Sequence, residues 1–214
     1  MPAAHPSGLP GVSPGTPHRA IGAPSPNVNY ADRFAFRYLA FTPTGQIGIS
    51  RPWPTVPKHR LPGGFIEPLN DLASRDLSLE AAVQIEFMWT TGGRVRLREK
   101  PKEASQSGDT SNAPKWAPEP PIATSEEWQF VDNVGVRQIT LCYIADFLPE
   151  TNDPEGVTDE MLKKKEELWL GYMGVDEARK LIAAEGPKTP VGRWIKERDS
   201  WFLEMGLDWE ANRK

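Results

Sequence analysis

Several shortages limit what this chain can be. It has a single cysteine, Cys142, so no intramolecular disulfide can staple it. It has three histidines, His5, His18 and His59, too scattered along the chain to build a His-based metal site. Lys and Arg (25) are outnumbered by Asp and Glu (29), giving a net charge of −4. That balance lacks the basic footprint of a nucleic-acid binder. No apolar run approaches the length of a membrane span. The opening "MPAAHPSGLPGVSPGTPHRA" has no apolar stretch and one Arg, so no secretory signal is expected. The expectation is a cytoplasmic protein that meets neither nucleic acid nor membrane.

Hydrophobic residues make up only 38% of the chain, and the shortfall is taken up by Gly and Pro rather than by charge. The 22 prolines are concentrated: seven lie between Pro2 and Pro26, and five between Pro101 and Pro121. Both stretches are poor in large aliphatic residues and cannot bury enough surface to offset the cost of ordering the chain. Residues 1–29 are therefore expected to be a disordered tail, and 102–125 a flexible insertion in one domain spanning 30–206. Residues 207–214 are expected as a C-terminal tail. About 160 residues remain for a core, which is sufficient.

The first structured stretch, "RFAFRYLAFTPTGQIGISRPW", reads as two strands around a Pro43-Thr44-Gly45 turn, with Phe34, Phe36, Tyr38 and Ala40 on one face. Then comes "LPGGFIEP", Leu61 to Pro68. From Asp76 to Thr91 the composition is helical, with Asp76 or Ser78 as N-cap and Gly92-Gly93 as the stop. "RVRLREK" reads as a strand, and Val134–Phe147 as the strongest strand of the second half, with Cys142 in its core. Three helices are expected to close the chain: Thr158–Leu170, Val175–Glu185, and one that opens at Thr189-Pro190 and stops at Gly206. Val191, Trp194, Ile195, Trp201, Phe202 and Met205 recur along the last at helical spacing, a pattern that belongs to core packing.

The order strand, turn, strand, "LPGGFIEP", helix, strands and closing helix resembles the Nudix hydrolase family. The lead-in Leu61-Pro62-Gly63-Gly64-Phe65-Ile66-Glu67 matches the family's usual opening. Ser78 to Val83, "SLEAAV", resembles the first turns of its signature helix, and Val175 to Ala178 the start of its closing helix. The resemblance spans roughly residues 33–186 and rests on this motif set. It implies an α/β fold, an α/β/α sandwich on a mixed sheet. It also implies Mg²⁺ or Mn²⁺ held by three glutamates at i, i+3 and i+4 on one helix face, where hard cations find carboxylate oxygens.

Those glutamates do not line up here. A loop insertion of about six residues aligns "SLEAAV" and puts Asp76 at the first glutamate of the signature. It leaves Ile85, Met88 and Trp89 at the three metal positions. Sliding by one residue to honour Gly92 puts Glu86, Trp89 and Thr90 there instead. In either register at most one metal carboxylate survives. An apolar face of Ile85, Met88 and Trp89 suits extra core, a hydrophobic ligand pocket or a protein-partner interface better than an ion.

Three functions stay open at this point. One is a Nudix-like domain with metal-dependent pyrophosphohydrolysis weakened or lost, retaining a role in binding a ligand or partner. The second is an active hydrolase of nucleoside diphosphate-linked compounds with a rearranged metal site. Glu67, Asp76 and Glu86 would then hold Mg²⁺ or Mn²⁺, and Glu86 and Glu67 would be catalytic. The third is a metal-free enzyme acting on a hydrophobic substrate. The candidate ligand-binding residues for a small-molecule or nucleotide-like ligand are Gly63, Gly64, Arg60, Ile85, Met88 and Trp89.

Overall fold

The computed structural model describes residues 18–21, 33–50, 59–66, 82–87, 95–101, 116–131, 134–147, 169–184 and 190–213. Ten strands are present among them. They are β1 (His18–Ile21), β2 (Arg33–Phe41), β3 (Ile47–Ser50), β4 (Gly63–Ile66) and β5 (Val95–Leu97). β6 (Glu99–Pro101), β7 (Trp116–Pro118), β8 (Ala123–Val131), β9 (Val134–Phe147) and β10 (Trp169–Met173) follow. The described helices are α1 (residues 82–87), α2 (Val175–Ala183) and α3 (Pro190–Asn212). Among the described residues no helix is long and apolar enough to cross a membrane.

The content is mixed α and β, organised around a curled, mixed sheet of eight strands in the order β1-β8-β9-β2-β3-β10. The remaining two of the eight, β4 and β5, pair with β2 and β9 off this path. Its axis is the parallel pair β2 and β9, in register from Arg33 opposite Gln138 to Phe41 opposite Asp146. The other edge of β2 takes β4 along Phe34–Arg37 and β3 at Phe41. Two partners on one edge bend the sheet. The turn between β2 and β3 forms where Pro43-Thr44-Gly45 places it: Gly45 adopts φ +77, and its N–H donates to the Thr42 carbonyl at 2.9 Å.

Because successive strand residues face opposite sides, β2 feeds two cores. Phe34, Phe36, Tyr38 and Ala40 pack with Ile139, Leu141 and Tyr143 of β9 and with Ala82, Val83 and Phe87 of α1. Leu39 and Phe41 face the other way, into a cluster with Ile47, Ile49, Ile144, Ala178 and Ile182 of α2, and Phe202 and Leu203 of α3. Alternation in β2 therefore reports a strand buried on both faces rather than one half in solvent.

Several elements depart from the sequence reading, each for a visible reason. β1 lies within the expected N-terminal tail and pairs antiparallel with β8. β7 and the start of β8 occupy the second half of the expected 102–125 insertion, where Ile122 and Ala123 are buried. Strand β10 takes Trp169–Leu170, the end of the expected helix from Thr158; the remainder of that helix lies outside the described residues, as does most of the one from Asp76 to Thr91. The largest difference is in α3, which runs through Gly206 to Asn212 and so absorbs most of the expected C-terminal tail. Gly206 is a packing glycine and not a stop. A Cβ there would lie 2.6 Å from Leu39 Cδ2, and Leu39 is itself fully buried.

The extra turns of α3 are anchored by Arg98, which follows β5. Its guanidinium binds the Asp146 carboxylate and Glu210 Oε2, the latter at 2.5 Å. Trp209 is flanked by Arg98 and Arg213, with guanidinium carbons 5.4 and 5.0 Å from its ring centre. Burial lowers the Arg98 pKa, but the two carboxylates outweigh it and hold the pKa above its ordinary value.

Gly206→Ala separates helix propensity from packing. Propensity alone gives a gain of about 1 kcal/mol, whereas overpacking against Leu39 costs about 1–3 kcal/mol. The expected result is a net loss of stability in urea denaturation, reduced when Leu39 is shortened to Val. A stabilised Gly206→Ala protein would show that the helix does not sit tightly on β2.

Candidate functional site

The segment "LPGG" is locked into the sheet by the backbone. Leu61 is fully buried, the Pro62 carbonyl accepts from Tyr38 N–H at 3.0 Å, and Gly63 lies opposite Arg37. A Cβ on Gly63 would fall 2.0 Å from the Phe36 carbonyl oxygen and 2.8 Å from Arg37 Nη1. Only glycine allows this approach. Gly64, opposite Phe36, is half-buried.

In α1, which follows β4 in the chain, Ala82, Val83 and Phe87 face the sheet, the Phe87 ring lying 4.3 Å from that of Tyr38. This packing fixes the helix's rotation. It leaves Ile85 42% exposed and Glu86 half-buried and engaged with a neighbour. Glu67, Asp76, Met88 and Trp89 lie outside the described residues. Of the carboxylates proposed for a divalent ion, only Glu86 is therefore described, and an exposed isoleucine stands beside it. Among the described residues no group of three or more His, Cys, Asp or Glu side chains is placed to hold a metal.

The opposite face of the sheet carries the feature that the sequence reading missed. Arg37 sits on that face of β2, and Arg198 and Asp199 come down on it from α3; all three are at most 3% exposed. Asp199 is the hub. Its Oδ1 accepts from Arg198 Nε and Nη2 at 2.9 and 2.7 Å, and its Oδ2 accepts from Leu61 N–H at 3.0 Å. Arg198 also lies 4.7 Å from the Trp194 ring centre. Ser125, Glu127, Gln138 and Thr140 of β8 and β9 are buried on the same face.

Arg60 reaches this cluster from the segment before β4. Its backbone pairs with Ser50, and its half-buried side chain feels Asp199 and Arg198. Burial, partly opposed by Asp199, lowers its pKa. Arg37 is pushed well below its ordinary value by burial and then by repulsion from Arg198 and Arg60. The structure thus joins Arg60 and Gly63 to the α3 face, while Ile85 stands on α1, against the other face. The signal for the cluster was present in the sequence: Arg37 interrupts an apolar strand, and "RD" at 198–199 interrupts an apolar helix stripe.

Two clefts of about 650 and 720 Å³ flank the Arg98–Asp146–Glu210 bridge. Of their charged residues, Arg98, Asp146 and Glu210 are engaged in the ion pairs that anchor α3, and Arg213 pairs with Glu119 at 3.4 Å. No protein-family model matches the chain, and no curated protein matches it in sequence.

Replacing Asp199 by Ala should cost about 3–5 kcal/mol, because it leaves a buried guanidinium unpaired and strands the Leu61 N–H. Asp199→Asn should retain the acceptor for Leu61 and lose less. Urea denaturation midpoints at fixed pH distinguish the two, and equal losses would mean that the charge carries the whole effect and the acceptor for Leu61 adds nothing. Cys142 makes a separate check. It is fully buried, and burial first and Asp199 second raise its pKa well above the ordinary thiol value. The native protein at pH 8 should not react with a thiol reagent, and full reactivity should appear on unfolding.

Proposed function

We propose that this chain is a Nudix-fold domain in which metal-dependent pyrophosphohydrolysis has been weakened or lost and a ligand-binding role retained. The layer order supports the fold. A mixed sheet with a parallel β2–β9 pair carries α1 on one face and α2 and α3 on the other. The "LPGG" segment feeds β4 along β2, and α1 follows it in sequence.

One observation carries the loss of activity. With Ala82, Val83 and Phe87 committed to the core, the residue that α1 turns outward is Ile85. In the register that best aligns the signature helix, this is a position that the family reserves for a metal carboxylate. Isoleucine offers no oxygen to a cation that gives up its water reluctantly. Glu86, which the alternative register would use, is half-buried and engaged.

The negative net charge supports a small-molecule or protein ligand over nucleic acid. The protein should show no turnover above background with nucleoside di- and triphosphates, nucleotide sugars and dinucleotides in Mg²⁺ or Mn²⁺. Metal-dependent turnover that disappears in Glu86→Gln or Glu67→Gln would overturn this reading and establish the active hydrolase.

A further inference from the structure

Arg37 poses a chemical problem that the described residues do not solve. It is 3% exposed, yet its guanidinium makes one hydrogen bond, from Nη1 back to the preceding Phe36 carbonyl at 2.7 Å. Its Nε is buried and has no partner. Asp199 and Glu127 attract it without a hydrogen bond to it, and Asp199 is occupied by Arg198 and the Leu61 N–H. Arg60 stands nearby with no ion pair among the described residues. Among the described residues the cluster holds three guanidinium groups against two carboxylates. A buried cation without a hydrogen-bonded counter-charge is strongly unfavourable unless something supplies one.

We propose that Arg37 and Arg60 form a binding site for a phosphate-type oxyanion, approached from the half-exposed side at Arg60. A guanidinium presents a planar fork of N–H donors that matches two oxygens of such an anion, and Arg37 has an unused Nε for one of them. Gly63 contributes by omission: a Cβ there would fall 2.8 Å from Arg37 Nη1 and crowd the guanidinium. Phe65, 63% exposed, shares register with Ala35 and so stands on the same face of the sheet. It provides an apolar surface beside the anion, suited to a phosphate carried by an aromatic small molecule. The site is on the sheet face opposite α1 and does not rest on the Nudix reading. Hydrolase activity and anion binding can therefore fail independently.

The test is thermal unfolding of the full chain in Tris–chloride at constant ionic strength, with chloride replaced stepwise by inorganic phosphate, sulfate or a nucleoside monophosphate. Phosphate should raise the wild-type melting temperature by about 3–6 °C at roughly tenfold its Kd. Arg60→Gln should weaken the response at least about tenfold while leaving the melting temperature in Tris–chloride within about 2 °C. Arg37→Met should abolish the response without lowering the phosphate-free melting temperature, since it removes a cation that has no counter-charge there. If that variant does not fold, Arg60→Gln carries the test alone. Equal shifts with inorganic phosphate and the nucleotide identify the free anion as ligand. A larger nucleotide shift that Phe65→Ala removes identifies the carried phosphate. A phosphate response no greater than that of chloride, or one that survives intact in Arg60→Gln, overturns the proposal.

Discussion

Asp199 is the point through which the two halves of the structure are fastened. One of its oxygens takes the backbone N–H of Leu61 and the other takes the guanidinium of Arg198, and the residue is wholly buried. The first bond fixes the start of "LPGG" against α3. The Pro62 carbonyl then takes Tyr38 N–H, and Gly63 is brought onto the Phe36 carbonyl. A buried carboxylate can exist only because both oxygens are satisfied. α3 lies along the same face as β2, touching Leu39 at Gly206 and reaching Arg98 and Asp146 through Glu210. A loop, a strand edge and the last helix thus share one electrostatic anchor.

Much of this was legible because local pattern and burial agree. β2 and β9 were legible because their alternating apolar residues survive burial on either face, and α2 because its start is marked locally by its acidic first turn. What was illegible depends on contacts far apart in sequence. Gly206 carries every local sign of a helix stop, and only the position of Leu39, 167 residues earlier, turns it into a contact point. β7 is composed of Trp116, Ala117 and Pro118, which local propensity assigns to a loop; its partner β6 decides otherwise. The helix expected up to Leu170 fails at its end because β3 presents a free edge that Trp169–Met173 fills.

The candidate site divides along the same line. The apolar outward residue of α1 follows from spacing alone: once Val83 and Phe87, four apart, face the sheet, Ile85 must face away. The charged layer under α3 could not be assembled this way. Its members, Arg37, Arg60, Glu127, Arg198 and Asp199, are spread over most of the chain, and nothing local says that they meet. Arg37 within a run of apolar residues and Arg198-Asp199 within an apolar helix stripe are the local anomalies. An arginine there on an exposed face would need no comment; that it is buried follows only from α3 lying over it.

The two faces of the sheet have been given different physical tasks. The α1 face is filled by aromatic rings in mutual contact, Phe36, Tyr38 and Phe87, which bury apolar area and offer few polar handles. The α3 face changes character along its length, from Leu39, Ile144 and Phe202 at one end to Arg37, Glu127 and Arg198 at the other. An apolar layer alone would have stabilised the contact with α3 more cheaply, because each buried charge must first be stripped of water. Charges retained under that penalty either fix the register of the elements they join or meet a ligand. Arg198 and Asp199 fulfil the first role, being paired with each other and with Leu61. Arg37 joins nothing that its neighbours do not already hold, so register does not explain it, and a ligand that brings its own negative charge does.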